Sequence, residues 1–223
     1  MRDIELYYKE SGEGFPLILL HGNGESSDLF DAQIPVFSAI RHVFAPDTRG
    51  HGRSPIGQPP FSISRFADDL RDFMDDRGIE KADILGFSDG GNIALIFAMR
   101  YPERLSRLIV DGANLYPSGM KNSVYREIRR RCRKFDSDPS MEHEAKLYHL
   151  MTDEPDIKPW ELKKITAKTL VMAGTDDMIK ERHTRLIAKN RPGAKLRIIE
   201  GGHALCLDNP DGFNAAVTEF LTK

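Results

Sequence analysis

Gly86-Phe87-Ser88-Asp89-Gly90-Gly91 is the stretch of this sequence that says most about its fold. It follows the apolar run Asp83 to Phe87 directly and precedes a helical apolar run from Ile93 to Met99. A glycine-x-serine-x-glycine pattern between strand and helix is typical of a sharp turn that lifts the serine hydroxyl above a sheet. The alternative is a glycine-rich turn with an incidental serine, and the flanking elements count against it. We therefore interpret Ser88 as a candidate nucleophile.

Short runs rich in valine, isoleucine and leucine recur on both sides of this turn, with helical patterns between them. Runs that are apolar throughout are typical of strands buried on both faces of a mostly parallel sheet. We predict six such strands: Phe15 to Leu20, His42 to Ala45, Asp83 to Phe87, Leu108 to Val110, Leu170 to Ala173 and Leu196 to Ile199. Ile4 to Tyr8 alternates instead, as an antiparallel edge strand does. The sequence thus predicts the α/β class, with helices flanking a mostly parallel central sheet.

One stretch, residues 114–165, interrupts the alternation of strands and helices. Two helical patterns, near Lys121 to Phe135 and Ser140 to Met151, follow each other there without a strand. We predict a short helical cap over 114–165, inserted between two parts of one core, residues 1–113 and 166–223. The first cap pattern is strongly basic on one side and apolar on the other, so we interpret its charges as a solvated helix face rather than a nucleic-acid site.

A serine at its ordinary pKa is a poor nucleophile and needs a base with an orienting partner. His203 follows the predicted strand Leu196 to Ile199, and the neighbouring carboxylates Asp176 and Asp177 follow Leu170 to Ala173. Sites in open parallel sheets lie at the carboxyl ends of strands, where all of these residues fall. The sequence therefore predicts His203 as the base and one of the two aspartates as its partner.

Acyl transfer also needs hydrogen-bond donors for the oxyanion that develops in the reaction. His21-Gly22-Asn23-Gly24 follows the first predicted apolar strand. We expect the backbone N–H groups of Asn23 and Asp89 to be the two donors. A dinucleotide loop is the alternative for this segment, but Ser27 stands where the third glycine would be, and the sequence has no phosphate-loop motif.

Together these motifs resemble the α/β-hydrolase superfamily over nearly the full length of the chain. The segment from Asp47 to Ser54 is similar to a structural loop of that family, which implies that Arg49 and His51 are not catalytic. The family's G-x-x-D motif implies Asp177 rather than Asp176 as the acid. The resemblance implies an α/β-hydrolase fold without the usual first edge strand, and hydrolysis of a carboxylic ester through an acyl-enzyme.

The elbow is similar to the G-W-S-D-G-G of valacyclovir hydrolase-like esterases, with Phe87 in place of the tryptophan. In that family the aspartate is associated with the α-amino group of aminoacyl esters, which implies a substrate-binding role for Asp89. The alternative is that its carboxylate only complements the N-terminus of the helix. From the position of the cap, Tyr116, Met120 and Tyr148 are candidate substrate contacts, with ordinary packing as the alternative for each. Thioester, amide or carbon–carbon hydrolysis, perhydrolysis, and a non-catalytic receptor remain alternatives on this scaffold.

The composition points to a small-molecule substrate. The chain of 223 residues has 32 basic and 34 acidic side chains, a net charge of -2 that attracts neither nucleic acid nor an anionic membrane. Its cysteines, Cys132 and Cys206, lack metal-ligand spacing and fit two free thiols in the cytoplasm. We expect no metal, no organic cofactor, no membrane span and no nucleic-acid partner, and a monomer or homodimer.

Overall fold

A seven-stranded sheet lies at the centre of the computed structural model, which describes residues 3–223. In chain order its strands are β1 (Tyr8–Ser11), β2 (Pro16–Leu20), β3 (His42–Pro46), β4 (Ala82–Phe87), β5 (Leu105–Asp111), β6 (Lys168–Gly174) and β7 (Lys195–Ile199). They lie side by side in the order β1-β3-β2-β4-β5-β6-β7. β1 runs antiparallel to β3 and every other pair is parallel. The predicted fold class is confirmed.

Residues 3–223 contain eight α-helices, of which six lie between strands and the last two follow β7. They are α1 (Ile34–Ser38), α2 (Ile63–Asp76), α3 (Asp89–Arg100), α4 (Asn122–Asp136), α5 (Glu142–Asp153), α6 (Glu181–Asn190), α7 (Leu205–Asp208) and α8 (Pro210–Thr222). Short 3₁₀ helices span Ser27–Phe30, Pro102–Arg104, Pro117–Gly119, Pro139–Met141 and Pro159–Lys164. No described helix is both long and apolar enough to cross a bilayer.

The six predicted apolar strands are confirmed, but the edge strand predicted over Ile4 to Tyr8 is wrong in its bounds. It pairs over Tyr8–Ser11, with Tyr8 opposite Pro46. Beyond that pair the Ser54 hydroxyl interrupts the ladder, because Ser54 Oγ accepts from the backbone N–H of Tyr7 and donates to the carbonyl of Asp47. β7 is also only half-buried, as expected of an edge strand.

Side chains of the strands alternate between two apolar layers. Ile84 of β4 packs in the layer with α2 and α3, whereas its neighbour Leu85 packs in the layer with α1 and α8. This alternation follows from the two-residue period of a strand, and it buries the central strands from both sides. Because β2, β4, β6 and β7 run parallel, their carboxyl ends lie at one edge of the sheet.

Residues 114–165 form α4, α5 and three of the 3₁₀ helices, with no strand among them. Ile128 and Cys132 are buried on the inner side of α4, while its basic side chains are exposed, as the solvated-face interpretation predicts. The division into a core of two parts and an inserted cap stays a prediction.

Candidate active site

Ser88 stands between β4 and α3 in a backbone conformation that is rare for a residue with a side chain. Its φ of 53° and ψ of −119° lie in a strained region for L-residues. A Cβ atom at Gly90 would lie 2.2 Å from the carbonyl oxygen of Leu20, and one at Gly86 would lie 2.2 Å from that of Gly90. Glycine is therefore required at both positions, which explains the spacing of the elbow motif.

Two hydrogen bonds join Ser88, His203 and Asp177 in series. Ser88 Oγ lies 3.0 Å from His203 Nε2, and His203 Nδ1 lies 2.7 Å from Asp177 Oδ1. With a neutral imidazole, the Nδ1–H group donates to the carboxylate and Nε2 accepts from the serine hydroxyl. In this arrangement a histidine is able to take the proton of a serine.

Asp177 is the carboxylate that meets His203. It is 3% exposed, and its Oδ1 also accepts a hydrogen bond from the backbone N–H of Ile179 at 2.7 Å. Asp176 is exposed, and its backbone N–H donates to the carbonyl of Gly201. The structure thus places next to the histidine the aspartate that the motif spacing implied.

The loop after β2 contacts the nucleophile turn. A Cβ at Gly22 would lie 3.1 Å from that of Ser88. His21 Nε2 accepts from the backbone N–H of Thr48 at 2.9 Å, so the ring proton is on Nδ1 and is donated to the Gly22 carbonyl at 2.8 Å. Because the Gly22–Asn23 peptide is planar and trans, the N–H of Asn23 points away from that carbonyl.

The two predicted oxyanion donors are both available. Within the part of the chain that the structure describes, neither the backbone N–H of Asn23 nor that of Asp89 donates a hydrogen bond. Asp89 is the first residue of α3, whose N-terminal dipole also favours negative charge at this point. Their use as oxyanion donors stays a proposal.

The side chain of Asp89 is a buried carboxylate held by amides. It is 7% exposed; Oδ2 accepts from Asn23 Nδ2 at 2.9 Å and Oδ1 accepts from Asn92 Nδ2 at 3.0 Å. Burial raises the pKa of Asp89, while these two hydrogen bonds lower it by less. Both donors are neutral, so they satisfy the carboxylate oxygens without cancelling their charge.

Two further carboxylates add negative charge near Asp89. Burial raises the pKa of Glu25 and of Glu154, and the charge of Asp89 raises both further. Glu25 accepts from the backbone N–H of Gly22 at 2.9 Å, and Glu154 accepts from that of Ile63 at 2.8 Å. Glu25 and Glu154 are therefore close enough to Asp89 for their charges to repel its charge.

Asp111, the last residue of β5, is a buried carboxyl that the sequence analysis did not single out. Its carbonyl accepts from the backbone N–H of Ser88 at 2.8 Å. Among residues 3–223, neither of its side-chain oxygens has a hydrogen-bond partner, and neither has Asp177 Oδ2. Burial and then the charge of Asp177 hold the pKa of Asp111 well above its usual value. An aspartate at the end of an apolar run was the only signal for it.

The three predicted pocket residues have different surroundings. The ring of Tyr116 packs edge-on against His183, with centroids 4.6 Å apart. Met120 is buried in a small apolar cluster beneath α4. Tyr148 packs edge-on against Phe135 within the cap, with centroids 4.9 Å apart. Their contact with substrate stays a prediction.

The cap reaches the site through a residue that the sequence analysis missed. The backbone carbonyl of Leu147, in α5, accepts from Asn23 Nδ2 at 2.9 Å. A backbone carbonyl carries no signature in the sequence. This contact places α5 beside the loop that carries the predicted oxyanion donor.

Arg49 and His51 have structural partners, as the resemblance implied. The guanidinium of Arg49 bonds Asp69 and Asp3, at 2.6 and 2.8 Å. Burial lowers the pKa of His51 to about 4, and this ring is stacked with that of Phe61. Neither residue takes part in the hydrogen-bonded series around Ser88.

The chain belongs to the α/β hydrolase fold family, whose model matches residues 16–131. It is 29% identical to the human protein named serine hydrolase BPHL, over 98% of this chain and 83% of that protein. It is 26% identical to 2-hydroxy-6-oxo-6-phenylhexa-2,4-dienoate hydrolase of Burkholderia cepacia, over 100% and 93% of the two chains. The solved structure of a hydrolase from Pseudomonas aeruginosa superposes with a TM-score of 0.85 at 23% identity, covering 99% of this chain and 95% of that one. The chain is a hydrolytic enzyme.

Proposed function

We propose that this hydrolase cleaves small-molecule carboxylic esters through an acyl-enzyme on Ser88. The observation that carries the proposal is the hydrogen-bonded series from Ser88 Oγ through His203 to Asp177, at 3.0 and 2.7 Å. His203 takes the serine proton as Oγ attacks the ester carbonyl, and Asp177 holds the tautomer and stabilises the imidazolium. The tetrahedral oxyanion is bound by the N–H groups of Asn23 and Asp89.

The second half of the reaction uses the same groups. As the tetrahedral intermediate collapses, His203 returns its proton to the departing alcohol, which leaves Ser88 acylated. A water molecule then attacks the acyl carbonyl, and His203 takes its proton. The carboxylic acid is released when His203 gives that proton back to Ser88 Oγ. The ester and one water molecule are the reactants, and the alcohol and the carboxylic acid are the products.

The charge around the site favours α-aminoacyl esters among possible substrates. The Asp89 carboxylate is buried, is held only by neutral amides, and has Glu25 and Glu154 nearby. A substrate ammonium group would offset this negative charge close to the forming oxyanion. The alternative, in which Asp89 only complements the N-terminus of α3, predicts no such preference.

The carboxylates of Asp89, Glu25 and Glu154 disfavour the kind of substrate for which one relative is named. The Burkholderia cepacia relative is named for a dienoate, which carries a carboxylate of its own. Like charges in a site with little water repel each other strongly. An ester with a cationic acyl group is therefore the better match for this chain.

A substrate panel tests the proposal. The wild type and Ser88→Ala are assayed with p-nitrophenyl esters, thioesters and α-aminoacyl esters, each cationic ester paired with an uncharged isostere. We expect ester hydrolysis that depends on Ser88, with the highest kcat/KM for aminoacyl esters. Faster turnover of thioesters would move the assignment to that class, and no turnover of any compound would favour a ligand-binding role.

We also propose a cytoplasmic location, supported by the two unpaired thiols of Cys132 and Cys206, which are both buried. Thiols that persist unpaired suit a reducing compartment. Fractionation of cells that express the full chain, followed by immunoblotting, tests this directly, and recovery in an oxidising compartment would contradict it.

A further inference from the structure

A second cluster of chemically reactive side chains lies between α4 and α5, away from Ser88. It consists of Cys132 and Asp136 on α4 and His149 on α5, one ligand-type atom of each lying within 4.8 Å of the others. Cys132 is 5% exposed, and its Sγ lies 3.8 Å from Asp136 Oδ2. The other oxygen of Asp136 lies 2.9 Å from His149 Nε2. A thiol, a carboxylate and an imidazole thus converge on one point.

His149 is held in the orientation that a metal ligand needs. Its Nδ1 lies 2.9 Å from Asp153 Oδ2, which turns Nε2 towards Asp136 and Cys132. Histidines that bind metals through one ring nitrogen characteristically donate from the other to a carboxylate. Each helix contributes residues four positions apart, so each pair lies on one face of a regular helix. Both helices are therefore rigid supports for the cluster.

We infer that Cys132, Asp136 and His149 form a structural binding site for a divalent transition-metal ion of the zinc class, with Asp153 orienting the histidine. A thiolate and an imidazole select zinc-like ions over magnesium or calcium. Ligand atoms around tetrahedral zinc are about 3.5 Å apart, a spacing that lies between the 2.9 and 3.8 Å contacts that Asp136 makes with His149 and Cys132. A water molecule supplies the fourth ligand.

Binding exchanges protons for the metal. The Cys132 thiol loses its proton to solvent, and an imidazolium at His149 loses one as well. Burial and the charge of Asp136 raise the pKa of Cys132, and a bound cation reverses the effect of that charge. Because its ligands come from both helices, the ion ties α4 to α5 and stabilises residues 114–165. The competing interpretation is a surface ion pair of His149 with Asp136 and Asp153, which needs no metal and stabilises the fold little.

Cobalt(II) titration of the full chain, first stripped with a chelator and kept reduced, tests the inference. We expect one equivalent of Co²⁺ to give a near-ultraviolet thiolate-to-metal absorption band that Zn²⁺ abolishes by competition. The band should be absent in Cys132→Ser, and His149→Gln should weaken binding by about 100-fold. Asp153→Asn should weaken metal binding by about tenfold, which is the usual effect of losing the hydrogen-bond partner of a metal ligand.

Two matched controls separate this site from other thiols and histidines. Cys206→Ala and His143→Gln, the latter an exposed position on the same helix α5, should titrate as the wild type does. Zn²⁺ should also slow alkylation of Cys132 by iodoacetamide at least tenfold in the wild type, a measurement that needs no variant to fold. An absent band, a band that survives in Cys132→Ser, or unprotected alkylation would overturn the inference.

Discussion

Asn23 and Asp89, the two residues expected to supply the oxyanion donors, are also joined through their side chains, with Asn23 Nδ2 donating to Asp89 Oδ2 over 2.9 Å. The same nitrogen donates to the carbonyl of Leu147 in α5. One amide therefore connects the oxyanion loop, the residue after the nucleophile and the cap. Both protons of its planar NH₂ group are used. A shift of α5 would therefore change the hydrogen bond that Asn23 donates to the Asp89 carboxylate.

Asp89→Asn should remove the preference for cationic substrates, because it removes a buried negative charge while keeping the shape of the side chain. We expect the ratio of kcat/KM for an α-aminoacyl ester to that of its uncharged isostere to fall about 30-fold, the effect of losing about 2 kcal/mol of charge pairing. The uncharged ester should react at least as fast in the variant, because a buried negative charge no longer opposes the forming oxyanion. Equal rates for the two esters in the wild type would show that Asp89 only complements the helix.

The same preference should depend on pH. Burial raises the pKa of Asp89, so this carboxylate loses its charge at a higher pH than an ordinary aspartate as the solution is acidified. The substrate ammonium stays charged in acid, and the ratio of the two esters cancels any pH effect that both reactions share. We therefore expect the wild-type ratio to decline from pH 7 towards pH 4, while the ratio of Asp89→Asn stays flat. A wild-type ratio that does not change would contradict an ionised Asp89 in the site.

Asp177→Asn should cost about 10⁴-fold in kcat, because the amide cannot hold the required tautomer of His203. Asp176→Asn is the matched control, since it alters an exposed neighbour that does not meet the histidine. We expect that variant to keep nearly full activity. If the two variants rank in the opposite order, the orienting role belongs to Asp176 and the remainder of the mechanism stands.

Cap substitutions should change substrate ranking without changing the reactivity of Ser88. Tyr116→Ala and Tyr148→Ala are each expected to change the relative kcat/KM of bulky and small esters by about tenfold, as the loss of one apolar contact does. Labelling by a small phosphonate should proceed at the wild-type rate. Equal loss towards every substrate and towards the phosphonate would mean that these side chains only stabilise the fold.

The buried carboxyl of Asp111 should make stability depend on pH. In the unfolded chain it ionises near its usual pKa, whereas the folded protein holds its proton to a higher pH. Between those two values the folded state binds more protons, so the free energy of unfolding falls as the pH rises. Asp111→Asn lacks this effect. The free energy of unfolding of the variant minus that of the wild type, measured in urea, should therefore become more positive as the pH rises from 4. A difference that is constant with pH would contradict the raised pKa.

The residues around Ser88 were predictable because each lies in a short motif just after an apolar strand. The elbow at Ser88, the loop at Asn23, Asp177 and His203 all follow strand ends, which a parallel sheet brings to one edge. The bounds of β1 were not predictable, because they depend on the Ser54 hydroxyl, which is bonded between Tyr7 and Asp47. The alternation of apolar and polar side chains over Ile4 to Tyr8 does not mark the residues that pair with β3.

Contacts between distant segments were beyond the sequence analysis. Asn23 meets Asp89 and Leu147 across 66 and 124 residues. The cluster of Cys132 and His149 joins two helices and has none of the close spacing that marks a metal motif. Such partnerships follow from how helices pack, which the hydrophobic pattern of each helix does not determine.

The most direct test of the mechanism is covalent labelling with a fluorophosphonate. We expect intact-mass analysis to show one phosphonyl group per chain, peptide mapping to place it on Ser88, and His203→Ala to slow labelling at least 10³-fold, because the base that activates the serine is gone. Folded Ser88→Ala should not be labelled and should have lost ester hydrolysis by about 10⁶-fold. Labelling of another residue, or wild-type hydrolysis by Ser88→Ala, would contradict the account.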